Sequence, residues 1–139
     1  PNDMGNASLI SCESDAIFDK IIARLDTDSS TITGAVGKRA VQFAITIPHS
    51  NQIKVYVLDF CSPEKPSINQ YASLIEAKRG RSGQPTADVT ITVSDNDFMK
   101  LCSGDLSAEW AYATGKMQVD GSMGVALKMK QLLDMAGKL

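Results

Sequence analysis

The sequence predicts an α+β fold, on three observations. Five short segments carry strand character, separated by turn-forming residues. The first three follow one another through short connections, which pairs them as antiparallel neighbours. Helical periodicity gathers before and after them, a segregation that lays helices on one face of the sheet and leaves room for an apolar pocket between the layers.

Residues 1 to about 12 read as flexible. Ser14 then caps a helix whose Ile17, Phe18, Ile21, Ile22 and Leu25 recur at helical spacing as a core-facing stripe. Asp26 to Ser30 break it, and Thr31 to Gly37 form a connection. Val41, Phe43, Ile45 and Ile47 alternate with Ala40, Gln42, Ala44 and Thr46 as the first strand. Pro48 to Asn51 turn the chain into a second strand, Ile53 to Phe60. Its two faces both carry bulk, Ile53, Val55 and Val57 on one and Tyr56, Leu58 and Phe60 on the other, so both are covered. Ser62 to Asn69, with Pro63 and Pro66, read as a loop, and Tyr71 to Ala77 as a third strand. Lys78 to Gly83 and Pro85 lead on to the next strand.

The stretch from Asp88 to Leu133 is the most clearly punctuated. Val89, Ile91 and Val93 alternate with polar residues as a half-buried strand. Ser94 caps a helix with Asp97 three residues on, Phe98, Leu101 and Cys102 share one face, and Gly104 ends it. A short helix runs from Ser107 to Gly115, and Met117 and Val119 mark a fifth strand. Gly121 turns the chain and Ser122 caps a last helix starting at Met123. Val125, Ala126, Met129, Leu132, Leu133 and Ala136 form its docking stripe. Met123 and Leu127 lie off that stripe, while Leu106 and Tyr112 face the same region. This is more apolar surface than docking needs. It is also soft, holding Met99, Met117, Met123, Met129 and Met135 of the six methionines, a residue that fills irregular space and adapts to varied ligands.

At 139 residues the chain suits a single domain, 1–139, with a real core. A net charge of −2 argues against nucleic-acid binding as the main role. No apolar run approaches the ~20 residues of a membrane span. The first residues lack the basic and apolar regions of a secretory signal, and a start at Pro1 reads as a trimmed or excised chain. Cys12, Cys61 and Cys102 are odd in number and match no metal spacing, which suits a reducing compartment. His49 and Cys102 would be the pair for a thiol hydrolase. However, His49 sits in a solvated turn and Cys102 has an apolar helical address where a cysteine acts as a small hydrophobe. Asp95 and Asp97 occupy a first helical turn, where the macrodipole accounts for them. No catalytic residue, metal ligand or cofactor is expected.

The runs Asp88–Val93, Ser94–Met99, Ser103–Leu106, Ala111–Tyr112, Gly115–Met117, Gly121–Gly124 and Lys128–Met129 resemble the sterol carrier protein type two family of non-specific lipid-transfer proteins. The likeness extends more weakly through Phe43 and the N-terminal helix. It implies a mixed, largely antiparallel five-stranded sheet covered by about five helices, with an apolar tunnel between the layers and no catalysis. The ligands it implies are fatty acids, acyl-CoA, sterols and phospholipids. The expected lipid-contacting residues are Phe43 and Ile45 on the first strand and Phe98, Leu101 and Cys102 on the helix after Ser94. Leu106, Tyr112 and Ala113 follow, then Met117 and Val119 on the fifth strand, and Met123 and Leu127 on the last helix. Ala113 stands where relatives carry a second ring, which makes the pocket roomier, and the direction of Trp110 is open. Arg79 to Gly83 read as a solvated turn rather than a phosphate contact. Each buried methylene is worth ~0.8 kcal/mol, so ten give about 8 kcal/mol gross without a charged anchor.

Gly137, Lys138 and Leu139 resemble a peroxisomal import tripeptide, departing from its strongest form by the glycine. The partners expected are a long-chain lipid, the peroxisomal import receptor and, transiently, a membrane surface. Peroxisomal residence follows, with the cytoplasm as a second site. The alternative is an accessory or dimerisation domain that presents lipid substrates within a peroxisomal multidomain enzyme.

Overall fold

The computed structural model describes residues 12–24, 39–48, 52–60, 67–80 and 87–137, with side chains described as far as Lys130. In order these form helix α1 over 14–24, strands β1 (Ala40–Thr46), β2 (Ile53–Asp59) and β3 (Ser67–Tyr71), and helix α2 (Leu74–Gly80). Strand β4 (Val89–Ser94), helices α3 (Asp95–Ser103) and α4 (Ala108–Ala113), strand β5 (Met117–Gly121) and helix α5 (Met123–Gly137) follow. The five-stranded sheet has the order β3-β2-β1-β4-β5. β1 and β4 run parallel, while β1–β2, β2–β3 and β4–β5 are antiparallel. Among the described residues the architecture is the mixed, largely antiparallel α+β sheet with about five helices that was expected.

Strand periodicity sorts the core. Phe43 lies opposite Tyr56 of β2 and beside Ile91 of β4, and Val41 is opposite Leu58 and beside Val89. That face is packed by α1, α3 and α5 through Ile17, Phe18, Ile21, Phe98, Cys102, Val125 and Met129. Phe18 is the hub. Its ring stacks on Tyr56 at 3.8 Å and on Phe98 at 5.2 Å, and meets Phe43 edge-on at 5.5 Å.

The start of α1 differs from expectation. Ser14 does not cap its own helix: it is buried, and its amide and hydroxyl both donate to Asp95 at the head of α3. Asp95 also accepts the Glu13 N–H at 3.0 Å. A carboxylate 81 residues away in sequence thus satisfies the orphan donors of α1, a role the macrodipole of α3 alone does not explain.

The opposite face holds the larger correction. The expected third strand over Tyr71–Ala77 is instead the end of β3 followed by α2, and Ser67–Asn69, expected in a loop, belong to β3. Lys78 and Arg79 therefore occupy the last turn of a helix rather than a connection. The physical reason is local: Ser73-Leu74-Ile75-Glu76 is a capping-box sequence, and Ser73 Oγ accepts the Glu76 N–H at 3.1 Å. Ala77 then packs on Val55 and Val57, with Ile53 and Tyr71 beside them. Helices therefore lie on both faces of the sheet, and β2 is covered on both, as its bulk required.

The C-terminal punctuation matches the reading. Ser94, Ser107 and Ser122 accept the amides of Asp97, Trp110 and Val125. Gly104 closes α3 with φ +89°. Gly121 has φ +117°, and a Cβ there would lie 2.4 Å from the Asp88 carbonyl oxygen. Readings that concern residues 1–11, Leu25, 31–37, 49–51, Cys61, 81–85, the side chains of Leu132, Leu133 and Ala136, and Lys138 and Leu139 fall outside the described residues.

Candidate functional site

A cavity of about 270 Å³ lies between the sheet and the C-terminal helices. Phe43 of β1, Ile91 and Val93 of β4 and Met117 of β5 form its floor. Phe98 and Leu101 of α3 close one side, and Ala126 and Met129 of α5 roof it. Its deep end is buried and apolar, with Phe43, Phe98 and Met129 almost inaccessible. At the outer end, Gly104, Ser107 and Lys130 reach solvent beside Ala108. Such a volume sits just below the ~300–1,000 Å³ usual for ligand pockets. Taking a methylene as about one water's share of liquid, ~30 Å³, it holds roughly nine of them.

The sequence-derived set divides in three. Phe43, Phe98, Leu101, Leu106 and Met117 line the cavity. Ile45 and Cys102 are buried in the surrounding core, and Val119 packs against it half-buried. Tyr112, Ala113, Met123 and Leu127 are exposed and outside the lining. Trp110, whose direction was open, is 61% exposed on α4. On α4 the buried residue is Ala111, which leaves Tyr112 and Ala113 turned outward, and the last helix explains Met123 and Leu127. At ~100° per residue, Val125 and Met129 turn inward while Met123 and Leu127 fall on the flank just past Lys130. The lining contributed by Ile91, Val93, Ala126 and Met129 had been assigned only to core faces. Those faces and the cavity floor are the same surface. Lys130 carried no signal beyond standing one turn after Ala126.

A separate polar cluster joins α1 to β2. Asp15 accepts from Lys54 Nζ at 2.8 Å and from the Tyr56 hydroxyl, and its other oxygen accepts the Cys12 N–H at 3.2 Å. Cys12 Sγ lies 3.2 Å from the Tyr56 oxygen. Burial and the neighbouring Asp15 hold the Tyr56 phenol well above its ordinary range. Burial likewise pushes the Cys12 thiol up, against the opposing Tyr56 hydrogen bond. A thiol that stays protonated is a poor nucleophile. The cluster is a latch for α1, and Cys102 is buried in the core, while His49 lies outside the described residues.

The model of the SCP-2 sterol transfer family matches residues 18–134. Among curated relatives, the Dictyostelium discoideum peroxisomal multifunctional enzyme A is 30% identical over 110 residues, 75% of this chain and 23% of that protein. The Caenorhabditis elegans non-specific lipid-transfer protein-like 1 is 26% identical over 88% of this chain and 91% of its own length. Most of these curated relatives are far longer than this chain, which spans less than a quarter of each. Among solved structures, the sterol carrier protein domain 2 of Helicoverpa armigera superposes with a TM-score of 0.61 at 24% identity, covering 94% of this chain and 96% of that one. The Aedes aegypti sterol carrier protein-2 complex with palmitate superposes with a TM-score of 0.59 at 23% identity, covering 89% and 96%. The family match runs from the aromatic hub of α1 through the sheet to the helix that roofs the cavity: the chain belongs to the SCP-2 sterol transfer family.

Proposed function

We propose that the chain is a non-catalytic carrier that shields the alkyl part of a single lipid between its sheet and C-terminal helices. The observation that carries this reading is the cavity: buried, apolar, methionine-lined at Met117 and Met129, and open to solvent at one polar end. Roughly nine enclosed methylenes at ~0.8 kcal/mol each give about 7 kcal/mol gross, before the cost of ordering the ligand. Longer chains then continue past the opening, where Met123 and Leu127 extend the apolar surface. Fatty acids fit this shape, as does the acyl part of acyl-CoA. The palmitate complex of the Aedes neighbour supports the class.

The test is a cavity-filling substitution. Ala126→Phe adds a ring where the roof meets the void, so fatty-acid affinity in a fluorescence titration of delipidated protein is expected to fall about tenfold or more, with the circular dichroism unchanged. Undiminished binding removes the cavity as the site.

A second reading, in which the chain presents lipid substrates to a catalytic partner, is favoured by the match to a peroxisomal multifunctional enzyme. The lipid-transfer relative that this chain matches over 91% of its length favours the free-standing carrier. Peroxisomal residence, with import through the final tripeptide and its receptor, belongs to both readings. A reporter bearing the last residues of the chain that stays cytosolic would exclude that import route.

A further inference from the structure

We propose that Lys130 reads the head group of the bound lipid, selecting a carboxylate over a neutral group, with Glu109 as the counter-ion that the ligand displaces. The inference rests on the carrier reading and adds selectivity to it, since alkyl burial alone distinguishes no head group.

Lys130 is the one charged side chain among the described residues that line the cavity. It stands at the outer end, where the roof of α5 meets the start of α4. Its side chain is 42% exposed, so the aliphatic stem follows the apolar rim while the ammonium sits at the water boundary. The Nζ atom lies 3.2 Å from Glu109 Oε1 across the gap between α5 and α4. Glu109 is more exposed still, at 72%, and a pair between solvated partners is held weakly. An incoming carboxylate whose tail is already buried therefore replaces Glu109 at little cost. Ser107 adds a second donor: its oxygen accepts the Trp110 N–H at 3.1 Å, and its hydroxyl proton remains able to point into the opening. Deeper in, Phe43, Phe98 and Met129 offer an anion nothing, so the ligand enters tail first, and a chain of about the cavity's length leaves its head at Lys130.

The competing account is that Lys130 and Glu109 merely tie α5 to α4. The two differ in what they predict for ligands of equal length and unequal charge. Dodecanoate and dodecanol would be titrated into delipidated wild type, Lys130→Met and Lys130→Arg by calorimetry. The expected result is a dodecanoate-to-dodecanol affinity ratio that falls about fivefold in Lys130→Met, the upper range for a solvent-facing ion pair, and recovers in Lys130→Arg. Added salt should lower the wild-type ratio, because only the carboxylate interaction is screened. Glu109→Gln should raise it by removing the competitor. If both ligands bind and the ratio is the same in wild type and Lys130→Met, this proposal is overturned and the carrier reading stands. If neither ligand binds wild type, both fall together.

Discussion

Asp15 accepts hydrogen bonds from a lysine, a phenol and a backbone amide at once, which makes it the anchor of α1. Burial acts to raise its carboxyl pKa, but the bonds from Lys54 and Tyr56 outweigh it and hold the group below its ordinary value of 3.8. A depressed native pKa contributes stability that is complete above the unfolded value and lost as pH falls through the native one. Lys54 is buried, and removing its partner leaves that charge uncompensated. Asp15→Asn should therefore cost about 2 kcal/mol in urea unfolding at neutral pH, with the gap to wild type closing below pH 3.8. A gap that widens toward acid would contradict this account. Little of the cluster was legible beforehand. Asp15, Lys54 and Tyr56 each look ordinary within their own elements, and only the docking of α1 on β2 brings them together. The same is true of Asp95, whose partners lie at the other end of the chain.

The elements themselves were legible where apolar spacing and caps agreed. From Val89 to Val125 every strand, cap and glycine stop is in place because period, N-cap serine and left-handed glycine point the same way. Around Tyr71 they disagreed. Tyr71 and Ile75 suggested a strand, while Ser73 and Glu76 formed a capping box, and the box prevailed because α2 needs only Ala77 to dock on Val55 and Val57. The turn into α5 shows how strict such punctuation can be. At Gly121 a side chain meets the Asp88 backbone in a region that favours glycine, and the Ser122 amide donates to that same Asp88 carbonyl at 2.9 Å. Gly121→Ala should cost on the order of 3 kcal/mol, visible as a lowered thermal midpoint. A midpoint within a degree or so of wild type would show that the turn relaxes freely.

The cavity was only half legible, because whether a layer of side chains closes on its neighbour depends on how several helices settle together. Phe98, Leu101 and Met117 announced themselves as surplus apolar bulk. Met123 and Leu127 did so equally, yet they face solvent, since the roll of α5 is set by Val125 and Met129. A void left under such a roof binds ligand only in the folded state, so occupancy must add to stability. At a hundredfold excess of fatty acid over its dissociation constant the gain is ~2.7 kcal/mol, or roughly 10 °C in a thermal scan. Absence of any shift at saturation would separate binding from the folded cavity.

Phe18 is not among the residues that line the void, yet its ring stacks on that of Phe98, which does. Trimming Phe18 would let Phe98 recede and hand the cargo more room, whereas a bulkier neighbour there would press Phe98 inward and shorten the tail that fits. On the carrier reading, chain-length preference would therefore be adjustable from a residue outside the lining, and differences in cargo would not have to be written in the lining at all.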